Sequence, residues 1–268
     1  MNESTIQSAG QIHYLKLRQR HKRIVRISRI LILSSFLFLW EFSANTGLID
    51  SFIFSSPSQI AVCFWEMFLD KSIFLHLGVT LYETIISFFL VIIISILIAI
   101  LLWVVPKLSE IFDPYLVVLN SLPKSALAPL LIVWLGANQT TIITAGMSVA
   151  IFGSILSLYT SFTTVDPEKI KLIYTLHGNR YHALTKAVIP SCIPSIINIM
   201  KVNIGLCLVG VIIGEFLAAR NGLGYIIIYS SQTFKLDWLL MAIVLLCIMA
   251  MGLYSFINFL EKLYQKRV

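Results

Sequence analysis

The chain alternates between long apolar runs and shorter polar segments. Six runs are long enough to cross a membrane as helices, at residues 30–49, 81–105, 113–135, 140–163, 191–214 and 238–260. About 20 apolar residues are needed for a helix to cross roughly 30 Å of hydrocarbon. The run at 81–105 is the clearest, whereas Glu41 and Asn45 interrupt the first run. This pattern predicts an all-α membrane protein built as a six-transmembrane-helix bundle.

The composition and the charge distribution support this class. Of the residues, 58% are hydrophobic and only 12% are charged, whereas soluble domains carry about a quarter charged residues. With six spans both termini lie on one side, which then holds fifteen of the 20 Lys and Arg residues, against three on the other side. Because cytoplasmic loops carry the excess of Lys and Arg, we expect a multi-pass cell-membrane protein with both termini in the cytoplasm. The net charge of +7 then reflects membrane orientation, and no nucleic acid is expected as a partner.

Three regions follow from this distribution: a basic cytoplasmic arm at 1–29, a membrane domain at 30–262 and a cytoplasmic tail at 263–268. Within the membrane domain, Pro123 and Pro129 fall inside the third predicted span. A proline deep in a span frees backbone carbonyl groups, which is tolerated where protein or a wet cavity satisfies them. The third span is therefore predicted to be a helix interrupted at both prolines.

Residues 164–190 form a polar loop that has the pattern of a helical elbow. Asp166 followed by Pro167 is typical of a helix start. The apolar positions then keep the spacing of one helix face, at Ile170, Ile173, Tyr174 and His177. A turn is expected at 177–179, and a second short helix at 180–189 is expected to stop before Pro190. A solvated linker does not need periodic apolar residues, so the elbow should pack on the bundle or on a soluble partner.

Five motifs around this elbow carry a family resemblance. They are "LPKSALAPLLIVWLG" (122–136), "VDPE" (165–168), "IPSCIPSI" (189–196), "GEF" (214–216) and "GLGYII" (222–227). In this order and spacing, the chain resembles the permease subunit of bacterial ABC importers, in the nitrate/sulfonate/taurine group, from about residue 57 to 262. The resemblance implies the fold of type I importer permeases in the inner membrane. It also implies a homodimer on two cytoplasmic ABC ATPase subunits, served by an extracytoplasmic substrate-binding protein, with no cofactor.

The resemblance further implies that the elbow couples the membrane helices to the ATPase. The family pattern is E-A-A-x3-G-x9-I-x-L-P, and when it is anchored on Pro190 its glycine falls on His177 and its E-A-A triplet on residues 171–173. Residues 171–173 are Lys, Leu and Ile, so the acidic and small residues of the family pattern are absent there. The coupling residues implied in this chain are Lys171, Tyr174, Leu176, His177, Gly178, Asn179, Arg180, Lys186 and Pro190.

Polar residues within the predicted spans are candidates for a translocation path. Lys124 follows Pro123, and ionisable residues inside membranes usually face a cavity or a partner; the alternative is a lysine that reaches the interface or bonds the broken helix. The fifth span carries a stripe of candidates on one helix face, at Asn198, Lys201, Gly205 and Glu215. Helix packing is the alternative for this stripe. The resemblance favours alkanesulfonates, taurine or nitrate as solute, with thiamine precursors or similar small nitrogenous compounds as the alternative.

Small residues predict close helix packing in two spans. Gly210 and Gly214 form a GxxxG motif, and Gly146, Ala150 and Ser154 repeat small residues at a spacing of four. Small residues allow helices to approach closely. The sequence leaves open whether the GxxxG contact lies within one chain or between two copies.

Other function classes fit the sequence less well. It contains no Walker-type, HExxH or GxSxG motif, and its four cysteines lack the spacing of a metal site, so we expect a non-catalytic subunit. An ion-gradient-driven transporter is the first alternative, but the inverted repeats and midplane acids of such folds are missing. A non-transporting membrane scaffold is the second, and it does not explain the broken span and the elbow.

Overall fold

A computed structural model describes residues 9–265 of the chain, with side chains from residue 17 onwards. Helices make up 88% of it, and no strand occurs between residues 9 and 265. The helices are α1 (Ala9–Asn45), α2 (Ser51–Phe54), α3 (Pro57–Leu69), α4 (Ser72–Val104), α5 (Pro106–Ser121), α6 (Lys124–Leu135), α7 (Gln139–Thr163), α8 (Pro167–Thr175), α9 (Arg180–Ala183), α10 (Ile189–Ala218), α11 (Leu223–Gln232) and α12 (Leu236–Gln265). The predicted all-α class is confirmed.

Four helical segments of the described chain are long and apolar enough to cross a membrane: α4, α7, the continuous stretch Arg180–Ala218 and α12. A fifth span results if α5 and α6, which meet at an angle of 96°, are taken together. Most of the remaining predicted span, 30–49, lies in α1, which is not among these segments. The count of six therefore stays a prediction.

The chain divides into two compact units, residues 1–62 and 63–268. In the first unit, Glu41 of α1 accepts hydrogen bonds from the backbone N–H of Ser58, at 3.1 Å, and from its hydroxyl group, at 2.8 Å. Ser58 lies in the first turn of α3, where a negative charge is favourable. The Asn45 amide also donates to Glu41, at 3.1 Å. The two polar residues that interrupt the first apolar run thus bond to each other, and Glu41 also bonds the start of α3.

The second unit is organised around α4, α7 and α10, which pack against one another along their lengths. Gly146 of α7 illustrates how close they come, since a Cβ atom there would lie 2.6 Å from the Ser87 Oγ of α4 and 2.8 Å from Val211 of α10. Buried polar side chains bond across these contacts: the Asn203 amide of α10 donates to the Ser154 hydroxyl of α7 at 2.8 Å. Small residues therefore allow both close approach and internal hydrogen bonding.

The third predicted span is broken at only one of its two prolines. The break falls at Leu122 and Pro123, between α5 and α6, while Pro129 lies inside α6 without ending it. The predicted interruption at Pro129 is wrong, because a helix of 12 residues continues across it. The helix before the break begins at Pro106, upstream of the predicted start at residue 113.

The predicted end of a helix before Pro190 is also wrong. Residues Leu184–Val188 form one π-helical turn, in which the N–H of Ile189 donates to the carbonyl group of Leu184, and α10 continues from there. Pro190 occupies the first turn of α10, where its missing N–H group costs little. The elbow therefore passes into the bundle through one continuous helical path rather than through a flexible joint.

Candidate functional site

The elbow consists of α8, a turn at residues 176–179 and α9. Asp166 caps α8 by accepting from the Glu168 N–H at 2.9 Å, as predicted from the sequence. At its other end the N–H of His177 donates to the carbonyl of Tyr174 at 3.0 Å, and the N–H of Gly178 donates to that of Ile173 at 2.9 Å. These two bonds define a Schellman motif, which ends a helix with a left-handed residue.

The left-handed residue of this motif is His177, with a φ of 61°, and it is the position on which the family glycine falls. Gly178 is required for a different reason. A Cβ atom there would lie 2.7 Å from the Ile173 carbonyl oxygen and 2.6 Å from its Cγ2. The displaced glycine is thus needed for close approach of the backbone, and His177 takes the strained conformation that glycine adopts freely.

Asn179 and His182 close the turn with reciprocal hydrogen bonds. The Asn179 side chain accepts from the N–H of His182 at 3.0 Å, and His182 Nδ1 accepts from the N–H of Asn179 at 3.3 Å. This arrangement is a capping box at the start of α9. The two polar residues beside the turn therefore have a structural role. For His182 this local contact was not predicted from the sequence.

The elbow presents an apolar surface that nothing covers in the described chain. Of the predicted helix face, Ile170 and Ile173 are half-buried, whereas Tyr174 and His177 are exposed. Within the elbow, the large hydrophobic side chains with the highest exposure are Leu176, at 71%, and Tyr181, at 68%. We call these two residues, together with Leu172 and Tyr174, the elbow surface. The sequence identified Tyr174 and Leu176 but missed Leu172 and Tyr181, although both lie beside the predicted turn.

Arg180 points back to the bundle rather than away from it. Its Nη2 atom donates to the Trp103 carbonyl oxygen at 2.7 Å, and its guanidinium group lies 5.2 Å from the centre of the Trp103 ring. Trp103 belongs to the last turn of α4, where a cation is favourable. Lys171, Lys186 and Pro190, also implied as coupling residues, are exposed. The predicted coupling set therefore contains both a residue bound to α4 and residues that face outwards.

Lys124 is engaged with the broken third span. Its Nζ atom donates to the carbonyl groups of Leu119, at 2.5 Å, and Asn120, at 3.2 Å, and lies 5.4 Å from the Phe152 ring centre. The α5 helix ends at Ser121, so these carbonyl groups lack helical partners. The contacts match the alternative raised from the sequence, in which Lys124 bonds the broken helix.

The stripe of path candidates on α10 is split between two environments. Asn198 and Gly205 are exposed, and nothing lies within 4 Å of a Cβ atom built at Gly205. Lys201 instead forms an ion pair with Glu261 of α12 at 2.5 Å, and Glu215 is fully buried. A common helix face therefore does not bring these four residues to one surface.

Glu215 holds the loop between α10 and α11. Its carboxyl group accepts from the Thr80 hydroxyl of α4 at 2.7 Å and from the N–H of Gly224 at 2.6 Å. The same Thr80 oxygen accepts from the N–H of Leu223 at 2.8 Å, and His76 Nδ1 accepts from that of Gly222 at 3.0 Å. Three consecutive backbone donors at the start of α11 are thus bonded to side chains, two of them from α4 and one from α10.

This contact explains the two glycines of the "GLGYII" motif. Gly222 has a φ of 118°, and a Cβ atom there would lie 2.4 Å from the Glu215 carboxyl group. At Gly224 a Cβ atom would lie 2.8 Å from the same carboxyl group. The "GEF" and "GLGYII" motifs therefore form one structural unit, in which the backbone closes around a carboxyl group.

A second buried acid, Glu83 of α4, lies beside Glu215 and was not identified as a site residue from the sequence. Glu83 is 1% exposed, and its Oε2 atom has no hydrogen-bond partner in the described part of the chain. The carboxyl groups of Glu83 and Glu215 are close neighbours. The only available signal was an acid within a long apolar run.

Glu83 also borders a cavity of about 300 Å³. We call it the Glu83 cavity. It lies where α7 begins and α10 ends, and its other polar lining residues are Asn138, Gln139, Arg220 and Asn221. A buried acid with one oxygen atom that forms no hydrogen bond, next to a polar cavity, is the kind of group found at binding sites.

The two glycines of the GxxxG motif contact α7 of the same chain. A Cβ atom at Gly210 would lie 2.8 Å from the Ala145 carbonyl oxygen, and one at Gly214 would lie 3.0 Å from the Ile142 Cα. Both residues are buried within the single chain. The structure thus places them in packing inside one copy, the first of the two alternatives.

Comparison with known proteins gives a consistent family. A family model described as "Binding-protein-dependent transport system inner membrane component" matches residues 92–268. The putative aliphatic sulfonates transport permease protein SsuC of Bacillus subtilis is 22% identical, over 90% of this chain and 87% of its own. The riboflavin transport system permease protein RibX of Chloroflexus aurantiacus is 25% identical, over 85% of each chain.

A solved structure shows the same fold. The inward-facing MetNI methionine ABC transporter contains a chain that aligns with a TM-score of 0.64 at 15% identity, covering 72% of this chain and 95% of that one. The match supports a permease fold of the type I ABC importer kind.

Proposed function

Because the chain belongs to the family of binding-protein-dependent transport system inner membrane components, we propose that it forms the membrane path of an ATP-driven importer for small sulfonate-like solutes. It is the non-catalytic permease subunit of an ABC importer and a multi-pass membrane protein. The proposal adds the solute class, the orientation with both termini in the cytoplasm, and an assembly of two permeases with two ATPase subunits and an external binding protein. The sulfonate relative supports the solute class, while the riboflavin relative is the reason to test it directly.

The observation that carries the coupling role is the elbow surface. Leu176 and Tyr181 expose 71% and 68% of their area at a turn held by a Schellman motif and a capping box. A preformed surface with exposed apolar and aromatic side chains is suited to a soluble protein partner. We assign this partner as the ATPase subunit, because the excess of Lys and Arg around the elbow favours a cytoplasmic location for it.

The translocation path is proposed along the exposed face of α10. Asn198 and Gly205 share this face with two exposed valines, Val202 and Val209. Gly205 leaves the backbone bare, which allows a second copy of the chain to approach this face closely. Asn198 offers a polar group to a solute that lies between the two copies. In this proposal Lys201 and Glu215 have a structural role instead. Lys201 holds α12 in position, and Glu215 holds α11.

The test is recovery of an ATPase with the tagged permease from native membranes in mild detergent. Leu176→Ala and Tyr181→Ala should each reduce ATPase recovery about tenfold, because an exposed anchor residue typically contributes more than 1 kcal/mol to an interface. Val133→Ala is the matched control, since Val133 is 81% exposed but lies on α6, away from the elbow. Equal recovery with all three variants contradicts the assignment of the elbow surface.

The solute class is tested separately by uptake into cells that express the complete transporter. Labelled taurine and an alkanesulfonate should accumulate in an ATP-dependent manner, and excess unlabelled riboflavin should not compete. Competition by riboflavin, or accumulation of riboflavin itself, contradicts the sulfonate assignment while leaving the importer assignment intact.

A further inference from the structure

We infer that the Glu83 cavity is a binding site for a small zwitterionic solute, which places its ammonium group at Glu83 and its anionic group at Arg220. The inference rests on the proposed importer function and adds to it a site within the permease and a charge pattern for the solute. It follows from two oppositely charged residues that line one cavity without pairing with each other.

Glu83 provides the end of the site that attracts a cation. The residue lines the cavity, is 1% exposed and has an unpartnered Oε2 atom in the described part of the chain. Its neighbour Glu215 is already held by Thr80 and Gly224. A buried acid is costly without a partner. An ammonium group in the cavity can supply a positive charge to Glu83.

The residues that line the cavity at the start of α7 and the end of α10 provide hydrogen-bond donors and positive charge. Arg220 is exposed, and within residues 9–265 it forms no ion pair. Asn138 and Gln139 stand at the first turn of α7, and the Asn138 side chain accepts from the Thr141 N–H at 3.1 Å. The N-terminus of a 25-residue helix favours a nearby negative charge, so the start of α7 together with Arg220 suits a carboxylate, a sulfonate or a similar group.

The size of the cavity restricts the solute. A volume of about 300 Å³ corresponds to about ten water molecules at roughly 30 Å³ each, at the lower end of the range for ligand pockets. A short aminoalkyl sulfonate or a small amino acid fits this space. A simple alkanesulfonate fits as well, but it leaves Glu83 without a cationic partner.

The experiment compares three small probes: taurine, ethanesulfonate and ethylammonium. Ethanesulfonate lacks the amine of taurine, and ethylammonium lacks its sulfonate. The permease, purified together with its ATPase in lipid nanodiscs, is titrated with each probe and thermal unfolding is recorded, since a ligand that binds the folded state raises the Tm. We expect taurine to have an apparent Kd at least tenfold below those of the other two, because hydrogen bonds between charged groups are the strong ones.

Two substitutions and one control assign the ends of the site. Glu83→Gln should raise the apparent Kd of taurine by about tenfold to a hundredfold, to the level of ethanesulfonate. Arg220→Gln should instead remove the advantage of taurine over ethylammonium. Glu110→Gln, a change at an exposed acid of α5, should leave all three constants unchanged.

A second measurement does not depend on substitution at Glu83. In a Cys247→Ser background, which removes the only exposed cysteine of the described chain, Asn221→Cys places a thiol at the cavity rim. Taurine should slow its modification by a membrane-impermeant maleimide several-fold, and ethanesulfonate should not. Equal effects of the three probes, no effect of any probe, or an unchanged taurine preference in Glu83→Gln overturns the inference. If the ATPase is still recovered in that case, the importer function stands and only this site is rejected; absence of the ATPase contradicts the proposed function itself.

Discussion

Replacement of Gly178 by alanine should open the elbow without disturbing the membrane helices. The new Cβ atom would lie 2.7 Å from the Ile173 carbonyl oxygen, about 0.7 Å inside ordinary contact. This oxygen accepts the Gly178 N–H bond that ends α8, so it cannot move away without losing the Schellman motif. The Ile173 Cγ2 atom, at 2.6 Å, can rotate away, but the backbone oxygen cannot.

The magnitude follows from two contributions. Loss of the hydrogen bond costs about 1 kcal/mol, and a backbone forced out of its preferred geometry adds about 1–2 kcal/mol. A total of about 2–3 kcal/mol raises the population of the locally open elbow by roughly thirtyfold or more. The effect should remain local, because Gly178 is separated from the buried core by the α9 turn.

Limited trypsin digestion measures this population directly. Cleavage after Arg180 requires local opening, and its rate follows the open fraction when opening is fast. The rate of appearance of the fragment ending at Arg180 should therefore rise roughly thirtyfold in Gly178→Ala. His177→Gly is the matched control, because it removes a left-handed non-glycine residue that costs about 1 kcal/mol. Its cleavage rate should fall a few-fold. A wild-type rate in Gly178→Ala, or faster cleavage in His177→Gly, refutes the proposed geometry.

Three further substitutions should separate structural from functional roles. Glu215→Gln should lower the Tm, because an amide cannot accept from all the donors that now meet the carboxyl group, and a buried donor left unsatisfied costs about 1–3 kcal/mol; an unchanged Tm contradicts the closed loop. Lys201→Met should lower the Tm by leaving Glu261 unpaired, and Lys201→Met with Glu261→Met should recover most of it; no recovery rejects the pairing. Lys124→Met should lower the Tm, whereas Lys124→Arg should largely retain it; equal losses reject a role in bonding the end of α5.

Local features of the elbow were predictable from the sequence because they depend on near neighbours. The Asp166 cap and the turn at 177–179 involve residues only a few positions apart, and their residue types strongly favour those structures. The failures at Pro129 and Pro190 have a related cause. A proline in a helix removes one hydrogen bond; at Pro190 a π-helical turn and a first-turn position absorb that loss, whereas α6 continues across Pro129 without either.

The contacts of the site residues were not predictable, because they join distant parts of the chain. Glu83 and Glu215 are 132 positions apart, and neither apolar run indicates that its acid meets the other. Lys201 and Glu215 do share a helix face, yet α12 supplies a partner to one and α4 encloses the other. Helical spacing determines direction around an axis, whereas the neighbouring helices determine what lies in that direction.

The elbow shows how one predicted set of coupling residues separates into two roles. Of that set, Leu176 is exposed and available to a partner, as is the neighbouring Tyr181, which was not predicted, whereas Arg180 bonds the last turn of α4. The path from α9 into α10 is helical throughout. A force applied at the elbow surface therefore reaches α10 through the backbone and α4 through the contact between Arg180 and Trp103. Because α4 and α10 also meet at Glu215 and Thr80, the same two helices carry both the elbow and the wall of the Glu83 cavity. Movement of one helix relative to the other would change both sites together.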